Sequence, residues 1–143
     1  LIYIFLLKMS GNQPVDSRVF QLVHALDGTS AATAADYGKF FVACKKCVVR
    51  SIREVHTVKG SDGSAVTLMI ERLQGTETSG NGDDLLTSAF NLKGTAETVQ
   101  SGTLTTTVAD LILTAGDRLN LVDTGVLTAV DGVCVTVELQ QIN

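Results

Sequence analysis

Tryptophan is absent from this chain, proline occurs once, at Pro14, and aromatic residues make up only 5%. So few flat rings weigh against a sugar-stacking platform and against a surface that stacks nucleic-acid bases. No basic cluster is present and the net charge is -4, which argues against nucleic acid as a partner. That charge is also too small to demand a strongly cationic one. Cysteine is scarce and odd in number, at three, which fits a reduced setting better than a disulfide framework. A membrane span is missing as well: the apolar run at residues 1–7, LIYIFLL, is far short of the roughly 20 residues needed. It also has no basic region before it and no small-residue cleavage site after it, as a secretory signal would. The chain opens on Leu1 and carries Met9, so translation is expected to start at Met9, with residues 1–8 an upstream extension; a truncated signal or anchor and an extra strand are the alternatives. Polar residues 10–16, SGNQPVD, read as a lead-in. Residues 1–17 are therefore taken as an N-terminal extension, and 18–143 as a single domain.

What is present is patterned. In 143 residues, 45% are apolar and 18% charged, enough to bury a real core and too apolar for a disordered tail. Residues 115–139, AGDRLNLVDTGVLTAVDGVCVTVEL, show apolar side chains at every second position. Leu119 and Leu121 make one run; Val133, Val135, Val137 and Leu139 make the other. Period two marks a strand with one buried face. Thr136, Glu138 and Gln140 fall on the opposite face. Turn residues at Asp123-Thr124-Gly125 and Asp131-Gly132 separate the runs, so an antiparallel closing hairpin is expected.

The rest of the chain reads the same way. Strands are expected at 19–26, 37–42, 48–58, 65–73 and 98–108, with a short apolar run at 85–92. The Ala-rich stretch 31–36 has room for one helical turn. In 48–58 the alternation slips between Ile52 and Val55, where a β-bulge would restore it. Residues 59–64, KGSDGS, read as a hairpin loop, and 74–84, QGTETSGNGDD, as the longest polar loop. In 65–73, Val66, Leu68 and Ile70 face one way, and Thr67, Met69 and Glu71 the other. The result is an all-β, antiparallel β-sandwich, jelly-roll-like, of about eight short strands.

Candidate chemistry is thin. Cys44-Lys45-Lys46-Cys47 is a CxxC, but only Cys134, His24 and His56 could complete a metal site, without a second paired spacing. Zinc and a disulfide or redox role stay open beside the favoured reading of two ordinary cysteines at a corner. His24 and His56 sit in apolar strand contexts with no nucleophile at a motif spacing. Glu54, Glu71, Asp110 and Asp117 would have to converge for glycoside hydrolysis. Asn81, Asp83 and Asp84 could face calcium, yet they miss the EF-hand spacing. Gly60 to Gly63 lacks the phosphate-loop pattern. Tyr37, Phe40 and Phe41 form the densest aromatic patch, suited to core packing, a sugar groove or a subunit contact. No catalytic, cofactor-binding or metal residue is assigned, no cofactor is implied, and no enzyme is expected.

The order YGKFFVA, then CVVRSIREVHTVKGSDGSAVTLMIERLQGT, then LLTSAFNLKGTAETVQSGTLTTTVADLILTAGDRLNLVDTGVLTAVDGVCVTVEL, resembles a group of small proteins of tailed bacteriophages and prophages. These are regarded as virion structural or decoration-type components. The likeness covers roughly residues 18–141 and lies in glycine turns and strand alternation, so it transfers no functional residue. It implies a non-enzymatic virion protein, a capsid decoration or head/tail accessory component. It also implies a homo-oligomer, with a trimer among the arrangements, and capsid or tail proteins as partners. The alternative is a carbohydrate-binding β-sandwich module that recognises surface glycans. No membrane association is implied.

Overall fold

A computed structural model describes residues 19–26 and 38–142. The expectations for residues 1–17, the helical turn at 31–36 and Tyr37 lie outside them. The protein is an all-β antiparallel sandwich, with no helix among the described residues. Its strands are β1 (Val19–Leu26), β2 (Lys39–Val42), β3 (Cys47–Val55), β4 (Thr67–Leu73), β5 (Asp83–Asp84), β6 (Phe90–Asn91), β7 (Gln100–Ser101), β8 (Ile112–Leu113), β9 (Arg118–Thr124) and β10 (Val133–Gln141). One sheet runs β1-β10-β3-β7, with β8 also on β3; the other runs β2-β9-β4-β5, with β6 also on β4.

These pairings are those of a hairpin rolled up on itself. β1 pairs β10, β2 pairs β9, β3 pairs β7 and β8, and β4 pairs β5 and β6. Rolling then zips β10 onto β3 and β9 onto β4. That is the jelly roll. Eight strand positions carry ten segments, because β5 and β6 are two pieces of one strand along β4, and β7 and β8 two pieces of one along β3.

The core follows from alternation. Val133, Val135, Val137 and Leu139 on β10 are buried against a cluster that includes Leu119, Leu121, Leu68 and Ile70. Thr136 and Glu138 are half-buried on the other face of β10. Each such leucine or valine contributes about 1.5–3 kcal/mol by leaving water.

Four expectations are corrected. The closing hairpin does not form: β9 and β10 lie in opposite sheets, and residues 125–132 cross between them. Residues 59–64 likewise cross from β3 in one sheet to β4 in the other instead of closing a hairpin. Alternation marks which face of a strand is buried, but not which strand it pairs with. The strand expected at 98–108 survives only as β7. After Gly102 donates to the Ile52 carbonyl at 2.9 Å, the chain leaves β3 and bridges Leu104 to Leu86. It returns where Val49 donates to Leu111. Lastly, the bulge in β3 falls earlier than expected. Ser51 pairs Glu138 and Val49 pairs Leu139, so Arg50 is the extra residue. The inward positions beyond it are Ile52, Glu54 and His56, not Val55.

Candidate functional site

The two sides of the sandwich differ. On one, the outer strand positions are the broken pairs β5/β6 and β7/β8, each piece two residues long. Short, interrupted edges offer little backbone to a partner. On the other side lie β1, eight residues long, and β2. The rings of Phe20 on β1 and Phe41 on β2 approach with centroids 6.4 Å apart, which joins the two sheets there. This side exposes Val19 at 50%, Val23 at 65% and Val42 at 56%; the other side exposes Val99 and Val108 beside its short pieces. Phe40 and Phe41 are half-buried against the core. A cavity of about 200 Å³ opens between Phe20, Phe41, the 44–47 corner and Gln141. Of the aromatic patch noted in the sequence, Phe40 and Phe41 pack against the core and Phe41 also lines this cavity.

The CxxC forms the β2–β3 corner of that edge. Cys44 is exposed, Cys47 is buried, and both are free thiols. Burial pushes the Cys47 thiol up, and the nearby Asp117 carboxylate adds to the push. Cys134 sits on β10, paired with Val55. Among the described residues no three His, Cys, Asp or Glu side chains converge as a metal site. His24 pairs with Val135 through the backbone.

The acidic candidates do not converge in one cleft, although Asp83 and Asp110 share Arg72. Glu71 is buried on the outward face of β4, under residues 74–82. Its carboxylate accepts from Gly80 N at 2.8 Å, Gly82 N at 3.0 Å and Asn120 Nδ2 at 2.6 Å. Asp83 accepts from Arg72 Nη2 at 2.6 Å, and Asp110 stands 3.8 Å from the same guanidinium. Arg72 Nη1 donates to the Ala109 and Ile112 carbonyls. Asp117 accepts from the Thr114 backbone at 2.7 Å. Asn81 donates to Thr78 Oγ1, and Asp84 is pushed up by burial and by the charges of Glu71 and Asp83. Gly60 donates its N–H to the Leu92 carbonyl, as a crossover tie.

Sequence reasoning missed one group: Glu54, His56 and Gln100. Glu54 and His56 are 1% and 0% exposed, and Nδ1 of His56 lies 2.9 Å from Glu54 Oε1. Gln100 Nε2 donates to Glu54 Oε2 at 2.6 Å. The signal was the i, i+2, i+4 spacing of Ile52, Glu54 and His56, which a misplaced bulge concealed.

Neither a family model nor a curated protein matches this chain. The geometry is therefore the ground for a functional reading. Among the described residues most buried polar groups bind one another, Asn120 Oδ1 being an exception, and the longest strand edge without a neighbour is that of β1.

Proposed function

We propose that this protein is a non-enzymatic structural component of a tailed-phage particle, a capsid decoration or head/tail accessory protein that works as a homo-oligomer. The observation that carries the reading is the one-sided edge. β1 and β2 present Val19, Val23 and Val42 to solvent, while the opposite edge is broken into two-residue pieces. An unprotected edge with apolar side chains favours pairing with another chain, and soluble proteins blunt such edges unless they use them. The phage-like order of the sequence supports the same assignment. The partners in this reading are further copies of the chain and the capsid or tail proteins, and its place is the virion.

The test is peptide mass spectrometry of tailed-phage particles purified by density gradient from the host that carries the gene. Peptides of this chain should be present at many copies per particle and stay with it through a high-salt wash. Particles from the same gene cluster that lack these peptides would overturn the assignment.

A further inference from the structure

Two buried ionisable side chains have no part in the β1–β2 edge. Glu54 and His56 stand two residues apart on the inward face of β3. His56 Nδ1 lies 2.9 Å from Glu54 Oε1, and His56 Nε2 lies 3.4 Å from the Gly94 carbonyl oxygen. Gln100 joins Glu54 to the backbone of Asn91: its Nε2 donates to Glu54 Oε2 and to Asn91 O, and its Oε1 accepts from Asn91 N at 3.2 Å. Glu97 N donates to the His56 carbonyl at 2.8 Å. Leu92 is held by backbone bonds with Val66 and Gly60, and Lys93 by the Asp62 and Ser64 carbonyls, so the stretch left to this pair is 94–96.

The imidazole faces an oxygen at each nitrogen. A neutral ring has one N–H and one lone pair, so with a bare carboxylate one of the two contacts sets lone pair against lone pair. Two arrangements avoid this. In one, an imidazolium donates to the carboxylate and to Gly94. In the other, a carboxylic acid donates to Nδ1, and Nε2–H points at Gly94. Both hold the same protons, one between Glu54 and His56 and one on Nε2. In a dry core the second is favoured, because it separates no charge. The upward push that burial gives the Glu54 carboxyl agrees with it.

The surroundings offer no substitute charge. β10 lays Val135 beside Glu54, with Val133 buried and Cys134 half-buried next to it. β7 contributes the neutral Gln100. Across the core are Phe90 and Leu92. Arg53 on β3 is exposed on the other face, and Glu97 is exposed. The Lys93 ammonium is engaged by the Asp62 and Ser64 carbonyls.

We propose that Glu54, His56 and the Gly94 carbonyl form a one-proton latch that fastens residues 94–96 to β3, and that loss of the proton as pH rises frees this stretch. Gly94, Thr95 and Ala96 wall an open cavity of about 540 Å³ whose other wall is Thr57, Val58 and Lys59. Release of the segment reshapes that cavity.

The test uses the whole chain. Nitrogen NMR of the His56 ring should show Nε2 protonated while the Glu54 carboxyl keeps its proton. Raising the pH past the loss of the Glu54 proton should move the ring proton to Nδ1 and, over the same range, lower the protection factor of the Glu97 amide by about tenfold or more, while the Val137 amide in mid-β10 stays protected. In Glu54→Gln the amide donates to Nδ1 as the carboxylic acid does and still accepts from Gln100, leaving Nε2–H on Gly94, so Glu97 protection should stay high and independent of pH. The proposal is overturned if Nε2 is already bare where Glu54 still holds its proton, or if Nε2 loses its proton with Glu97 protection unchanged. It is equally overturned if Glu97 and Val137 lose protection together. The wild-type readouts decide the matter even if Glu54→Gln does not fold.

Discussion

Burial pushes the Glu54 carboxyl above the ordinary glutamate range, and hydrogen bonds from His56 and Gln100 offset only part of that. The sign of the stability effect follows. The folded state holds this proton more tightly than the unfolded chain. Its stabilising contribution is therefore complete below pH about 4.5 and is lost as pH rises through the raised folded value. Glu54→Gln removes the titration. Urea midpoints measured at a series of pH values should show wild type losing ground to Glu54→Gln as pH climbs above about 4.5. A difference between the two proteins that stays constant with pH would sink this account. Glu71 shows the contrasting solution to a buried acid: two backbone N–H groups and the Asn120 amide converge on its carboxylate.

At the scale of elements, what was legible depended on whether a side chain's neighbours in sequence decide its fate. The β10 alternation is decided locally, and the expected inward set of Val133, Val135, Val137 and Leu139 is buried. The face assignment of Val66, Leu68 and Ile70 holds for the same reason. Pairing partners are decided by the rolling of the whole chain, and so both expected hairpins turned out to be crossovers. The Glu54–His56 pair was hidden by one residue of register at Arg50. Glu71 was expected on the outward face and lies there, yet residues 74–82 fold back over it and bury it. That return needs Gly82, where an added Cβ would collide with the Arg72 carbonyl and come within 2.7 Å of Leu73 Cδ2. The obstacle is backbone, so it cannot simply rotate away. Gly82→Ala should destabilise by on the order of 1–3 kcal/mol in denaturant unfolding. Gly63→Ala is the control: its Cβ would meet nothing within 4 Å, and its effect should stay within about 0.5 kcal/mol. Equal effects at the two positions would show that the loop does not depend on the close approach at Gly82.

At the scale of the molecule, the asymmetry between the two sides makes a claim about assembly. Val23 lies in the middle of β1, 65% exposed, on a strand whose only backbone neighbour among the described strands is β10. Val99 is similarly exposed, at 59%, but lies beside the two-residue β7 on the broken side. A lysine on an edge strand opposes edge-to-edge association, because pairing would strip water from its charge and bring it against its own copy. Neither valine supports the core, so neither substitution should change the unfolding midpoint by more than about 0.5 kcal/mol. Their effects on assembly should differ. Light scattering across a dilution series should find wild type and Val99→Lys as the same oligomer, and Val23→Lys shifted towards the monomer by about tenfold or more in dissociation constant, roughly 1.4 kcal/mol. The reverse pattern would move the working surface to the β7 side. A wild-type chain that stays monomeric at every concentration would show that β1 does not pair with its own copy, and the virion reading would then rest on contacts with capsid or tail proteins alone.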